Sequence, residues 1–234
     1  MPIEGHRYIS VTTLLGHFDC TRYGRDSQIP PFVLRKAGER GRRIHDDTES
    51  MLRGEELDEP AHEGEDGFRE AARLAISELD MKPILLEQNV ECSTLQLHGR
   101  LDFFGTMFQT GRLSLCDWKS GEPPKCEDYS SKPIAHPSVC LQTVLYQLLL
   151  ASMFDHGLLD WEQLRDQGSD SDAADVVGPR SASVAVLSAD RCAIYLRKNG
   201  QYAWRSCPDS TTDRAQARGL CYAYRAQQRC RSAA

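Results

Sequence analysis

Asp102, Asp117 and Lys119 are the residues whose types and spacing could do chemistry. Asp102 lies in Gly99-Arg100-Leu101-Asp102-Phe103, and fifteen positions on comes Asp117-Trp118-Lys119. Both stretches read as strands, and Gln109-Thr110-Gly111 between them suits a tight turn. Folding back there sets Asp102 opposite residues 118 to 119. Side chains alternate across a strand, so Asp117 and Lys119 share a face. Cross-strand and diagonal neighbours are close enough for all three to meet. Two carboxylates can hold a hard divalent cation, and a lysine beside them can steady a negative charge or a water. That is equipment for metal-assisted hydrolysis of a phosphodiester.

Each of the three also has an ordinary explanation. An aspartate at a strand end is often a turn residue or an ion-pair partner, and a lysine near two acids can simply neutralise them. The spacing argues further. Acids placed where strands leave the core are costly to desolvate unless something compensates them, and a cation would. Gly121, two positions beyond Lys119, leaves space there.

The elements that must position these residues follow from the pattern around them. Ser10-Val11-Thr12-Thr13 is helix-capping chemistry before Leu14-Leu15. Pro30-Pro31 precedes a helical pattern from Phe32 to about Arg53, with proline suited to the first turn. Phe68 to Leu79 predicts a second helix. Ile84 to Cys92, Leu95 to Phe108 and Arg112 to Trp118 predict three strands in an antiparallel meander. Val139 to Phe154 predicts a long apolar helix, and Val184 to Leu187 a buried strand that could run beside the meander. Residues 166 to 180 are polar and predict a mobile loop. Lys198-Asn199-Gly200 predicts a hairpin between 192–196 and 202–204, and Thr211-Thr212-Asp213 caps a final helix reaching about Arg229. The expectation is a mixed α/β domain, with a central mixed sheet flanked by helices. Residues 1–234 form one domain: a helical part at 1–80, a catalytic core at 81–190, and a peripheral hairpin and helix at 191–234.

Bulk properties set limits. In 234 residues, 40% hydrophobic content supports a real core. By this reading no apolar run approaches the length of a membrane span, and Met1 to Arg7 lacks the apolar stretch of a secretory signal. A soluble, cytoplasmic protein is expected, in the host cytoplasm if a phage encodes it. A formal net charge of −6 argues against a protein that coats nucleic acid non-specifically, but permits a local basic patch. The nine cysteines are scattered with no CxxC, which favours reduced thiols over a disulfide framework.

Two more signals accompany the aspartates. Gln142 and Tyr146, four apart on the long helix, share a face beside the apolar side of Leu141, Val144, Leu145 and Leu148. An amide and a phenol there suit bracing a lysine or touching a phosphate. On the early helix, Gly41-Arg42-Arg43-Ile44-His45 offers an imidazole ligand, which suits Mn²⁺ better than Mg²⁺, and two cations that are either solvated or phosphate contacts. Glu87 on the first long strand could add an acid, with Glu91 competing for that part.

In order, Gly41…His45, Glu87, Gly99-Arg100-Leu101-Asp102, Asp117-Trp118-Lys119 and Gln142…Tyr146 resemble the PD-(D/E)XK nuclease superfamily, in its RecB-like branch. That branch includes CRISPR-associated RecB-like nucleases and the mitochondrial genome maintenance exonuclease. The resemblance implies an αβββαβ core and Mg²⁺- or Mn²⁺-dependent exonuclease action on DNA, single-stranded or with free ends, in recombination, repair or phage DNA processing. A recombination or replication protein could be a partner. A structure-selective or restriction-like endonuclease of the same fold and a non-catalytic DNA-binding or partner module are the alternatives. By position, His45, Asp102, Asp117 and the Trp118 carbonyl would bind the metal, with Glu87 as a further acid. Lys119 would orient the attacking water. Gln142 and Tyr146 would support the site and contact DNA, alongside Arg42, Arg43 and Arg100. Many members of the branch hold an iron–sulfur cluster, with one early cysteine and three late ones. Here Cys20 and the widely spaced Cys207, Cys221 and Cys230 do not match that pattern. No GxxxxGK[ST] motor motif occurs in these residues.

Overall fold

Ser10 accepts a hydrogen bond from the Thr13 amide and starts the first helix, as its capping chemistry predicts. The structure, a computed structural model, describes residues 8–20, 29–57, 64–108, 111–123, 134–161, 164, 182–208 and 211–232. In chain order these form β1 (Ile9–Ser10), α1 (Val11–His17), α2 (Pro31–Arg53), α3 (Asp66–Glu78), β2 (Lys82–Cys92), β3 (Leu97–Met107), β4 (Arg112–Ser120), α4 (Pro137–Asp155), α5 (Ala182–Ser188), β5 (Asp190–Leu196), β6 (Tyr202–Cys207) and α6 (Thr211–Ser232). Pro31 opens α2, and Gly54 closes it in the left-handed region at φ 72°. The loop predicted at 166–180 and most of the turn at 109–111 lie outside the described residues.

The strands form one mixed sheet. β2 runs antiparallel along β3 from Cys92↔Leu97 to Lys82↔Thr106. β4 is antiparallel to β3, β5 parallel to β4, and β6 antiparallel to β5. One face carries α1, α4 and the core of Leu101, Phe104, Leu115 and Leu145. The other carries α2, α3 and the core of Ile44, Phe103, Trp118 and Ile194. This is the mixed α/β architecture that the sequence implies.

Three expectations need correction. Val184 to Leu187 is not a strand but lies in α5. The apolar run is too short for periodicity to decide. Ser188 Oγ donates to the Val184 carbonyl, while Gln147 Nε2 donates to the carbonyls of Val186 and Ala189. The strand beside the meander is β5, buried from Arg191 to Leu196 and paired with β4 from Ser114↔Asp190 to Ser120↔Leu196. The 192–204 hairpin therefore belongs to the sheet and is not peripheral. Finally, α4 is long and apolar enough to cross a membrane by length and composition, contrary to the expectation that no run approaches that size. Its apolar surface is buried inside the protein, against β2, α5 and α6.

Arg191 ties the far end of the sheet to α4. Its buried guanidinium donates to the carbonyls of Cys140 and Pro208 and pairs with Asp213 at 3.1 Å. Replacing it with an apolar group strands these acceptors. Arg191→Met should cost about 3–5 kcal/mol, the range for breaking a buried charge pair. Urea unfolding should show a lower midpoint at unchanged slope.

Candidate metal centre

A gap in the sheet creates the site. β2 covers one edge of β3 along its length. The other edge is shared by β1, paired only at Leu97 and His98, and β4, paired only from Phe103 to Met107. Residues 99–102 lie between those two partners. The alternation of β3 also breaks here: Leu101 packs in the α4-side core, but Phe103, of the same parity, packs in the α2-side core. Asp102 turns its carboxylate into the gap and accepts a hydrogen bond from the Trp118 amide at 2.8 Å. The ladder runs in step with Phe103↔Cys116, so Asp102 lies level with Asp117, not with 118 to 119 as the turn predicted. The side chain has taken the Trp118 N–H that a simple hairpin would give to a backbone carbonyl.

His45 reaches the gap from α2. Its Nε2 is 3.2 Å from the Trp118 carbonyl, and its Nδ1 is 3.4 Å from Glu87 Oε1 and 3.5 Å from Asp102 Oδ1. The ligand atoms of His45, Glu87 and Asp102 all lie within 4.8 Å of one another. Glu87 is a non-glycine residue at φ +47° within β2, a conformation that costs on the order of 1–3 kcal/mol. Arg100 holds it there, donating from Nε to the Glu87 carbonyl at 3.1 Å and pairing with its carboxylate at 2.8 Å. Glu91, the competing acid, is exposed and registers with His98.

Asp117 and Lys119 face α4, on one face of β4 as their spacing requires. Lys119 Nζ stands 2.6 Å from Asp117 Oδ2 and donates to Gln142 Oε1 at 3.3 Å. Gln142 Nε2 in turn donates to the Tyr146 hydroxyl at 3.3 Å. The Tyr146 ring fits because Gly99 lacks a Cβ, which would sit 2.5 Å from Tyr146 Cε1. Asp102, Asp117 and Lys119 thus share one site with His45, Glu87, the Trp118 carbonyl, Gln142 and Tyr146.

Two placements differ from expectation. Tyr146 is buried behind Gln142, so it holds that side chain and is not presented to a ligand in solution. Arg43 is taken up by Glu65, with Nε 3.2 Å from Oε2. Its partner comes from beyond a loop, which spacing could not reveal. Arg42 is exposed, and Arg100 is about half exposed while bound to Glu87. Cys207 packs with Cys140, and Cys221 donates to the Ala217 carbonyl.

Buried acids and cations offset one another at the site. Burial raises the Asp117 carboxyl to about 6; Lys119 holds it down and Asp102 pushes it up. Burial also opposes charge on Asp102, but His45 and Lys119 outweigh it and leave Asp102 below the usual carboxylate range. Burial lowers the His45 pKa, yet Asp102 and Glu87 overcome that and push it to about 11. Burial disfavours the Lys119 ammonium, and Asp117 and Asp102 more than restore it. Although Lys119 lies close, Asp117 Oδ2 is buried without an aligned hydrogen-bond donor. An imidazole nitrogen and the carboxylate oxygens of Glu87 and Asp102, gathered within 4.8 Å, fit a divalent metal of the Mg²⁺ or Mn²⁺ kind, with the Trp118 carbonyl beside the same imidazole.

A family model for this superfamily matches residues 25–175, from before α2 to beyond α4. The chain belongs to the PD-(D/E)XK nuclease superfamily. No curated protein gives a significant match. Superfamily membership implies a phosphodiester hydrolase that acts on nucleic acid with a divalent metal, and His45, Glu87 and Asp102 form a candidate metal site.

Two outcomes follow for this PD-(D/E)XK site. Asp102→Asn and Glu87→Gln should each weaken Mn²⁺ binding at least tenfold by calorimetry, by analogy with the 10–100-fold losses on altering metal-site partners, while Glu91→Gln leaves it unchanged. Gly99→Ala should force the Tyr146 ring out of place and destabilise the fold by about 1–3 kcal/mol, read by thermal unfolding.

Proposed function

We propose that this PD-(D/E)XK protein is a DNA exonuclease acting on single-stranded or free-ended DNA with Mg²⁺ or Mn²⁺. The observation that carries the reading is the placement of Lys119, held between Asp117 and Gln142 at the edge of the His45–Glu87–Asp102 cluster. A divalent cation held there supplies positive charge for the phosphate oxygens and makes a nearby water more acidic. Asp102 and Asp117 would be carboxylates that hold that cation, Asp102 oriented by the Trp118 amide and Asp117 beside Lys119. Lys119 orients the attacking water and offsets the charge that builds on phosphate. Gln142 keeps the ammonium directed, and Tyr146 keeps Gln142 in place.

Support for the RecB-like branch comes from the way His45 on α2 and Gln142…Tyr146 on α4 converge on one pair of strands. Recombination, repair or phage DNA processing, with a recombination or replication protein as partner, is the setting this reading favours. The unpaired thiols at the eight described cysteines support a reducing cytoplasm.

The test uses end-labelled linear single-stranded DNA, with circular single-stranded DNA alongside. Wild type should degrade the linear strand only when Mg²⁺ or Mn²⁺ is added. Asp117→Asn and Lys119→Ala should be slower by about 10²–10³-fold, the loss typical of removing one charge-stabilising group. Equal rates in all three proteins overturn the mechanism, and cutting of the circle replaces the exonuclease with an endonuclease.

A further inference from the structure

A cleft of about 460 Å³ opens from the metal centre away from Glu87 and Asp102. His45, Trp118, Lys119 and Gln142 form its inner end. Its size lies within the roughly 300–1,000 Å³ of small-molecule sites. The walls beyond the catalytic end come from three helices, with Leu15 of α1, Leu34, Ala37 and Gly38 of α2, and Val139 of α4.

The α2 wall is one stripe. Leu34, Gly38, Gly41 and His45 recur at steps of four, three and four, so they share a helix face that leads straight to the metal centre. The two glycines carry the inference. Glycine inside a helix costs roughly 0.5–1 kcal/mol relative to alanine, so its presence needs a reason. Close packing is not the reason here. Among the described residues, a Cβ on Gly38 would meet nothing within 4 Å, and one on Gly41 only Ser120 Oγ at 3.8 Å. The helix has been kept bare where it faces open cleft. Leu34, at the outer end of this stripe, is exposed, as are its first-turn neighbours Phe32 and Val33.

We infer that this cleft receives the unstacked base of the nucleotide whose phosphate lies at Lys119. The inference rests on the nuclease reading and narrows its substrate. A flat, largely apolar group with polar edges matches apolar walls with Thr12, Arg40, Ser120, His136 and Ser138 also on the lining. The rise of a helix puts Gly38 about 10 Å along α2 from His45, so the base pocket and the phosphate site adjoin. A base paired inside a duplex cannot enter; a base of a single strand or a frayed end can.

The test is free of metal and of turnover. The four 2′-deoxynucleosides and, separately, 2-deoxyribose are titrated into isotopically labelled protein and followed by NMR. At least one nucleoside should shift the Gly38, Gly41 and Val139 amides saturably, at least tenfold more tightly than 2-deoxyribose. Gly38→Leu fills the cleft and should weaken that binding at least tenfold, without lowering the unfolding temperature, since leucine favours the helix. Leu34→Glu, on the exposed rim, gives a second variant with the same expected loss. Equal response to nucleoside and 2-deoxyribose, or undiminished binding in both variants, overturns the inference. Nucleoside discrimination without metal-dependent cleavage would sink the nuclease reading alone, and cleavage without discrimination would sink the base pocket alone.

Discussion

Asp102 turns its carboxylate into a stretch of β3 whose second edge, away from β2, has no partner strand, and the site depends on that break in the ladder. The Trp118 amide anchors one oxygen, which leaves the other facing His45. Glu87 and Asp117 come in from the flanking strands, so three carboxylates meet where water is scarce. Such a group is unfavourable unless positive charge balances it. The protein supplies part of that charge from Lys119 and Arg100, and the nature of the donors, the His45 imidazole among them, suits a divalent cation for the rest.

The two faces of the sheet contribute differently. From the α2 side comes an imidazole ligand on a helix whose interior is stripped of side chains at two positions. From the α4 side comes a chain of contacts that begins with a missing Cβ at Gly99 and passes through Tyr146 and Gln142 to Lys119. Arg191 fastens the first turns of α4 from the far end of the sheet, two residues before Gln142. The lysine is therefore placed by packing as much as by its own pairing with Asp117. This is the kind of support that holds a reacting group in position before substrate arrives.

Much of this was legible from residue spacing. Asp102, Asp117 and Lys119 could be brought together because a hairpin and a period of two leave few alternatives, and Gln142 and Tyr146 share a face by helical spacing alone. The register missed by a step because the ladder closes at Met107↔Arg112, one residue earlier than a turn at 109–111 implies. The choice of Glu87 over Glu91 hinges on a left-handed backbone at Glu87 and on Arg100 bracing it. Arg43 read as a free cation because Glu65, its partner, lies across a loop. The buried run at 184–187 is too short to declare a period, and β5 gained its place in the sheet through pairing with β4. Apart from the register, the missing term in each case is a long-range contact.

Crystals soaked in Mn²⁺ and measured for anomalous scattering test the central claim most directly. The account predicts an anomalous peak enclosed by His45, Asp102, Asp117, Glu87 and the Trp118 carbonyl, with Lys119 and Gln142 alongside. Manganese bound only elsewhere, with the His45 contacts to Asp102 and Trp118 intact, would contradict it.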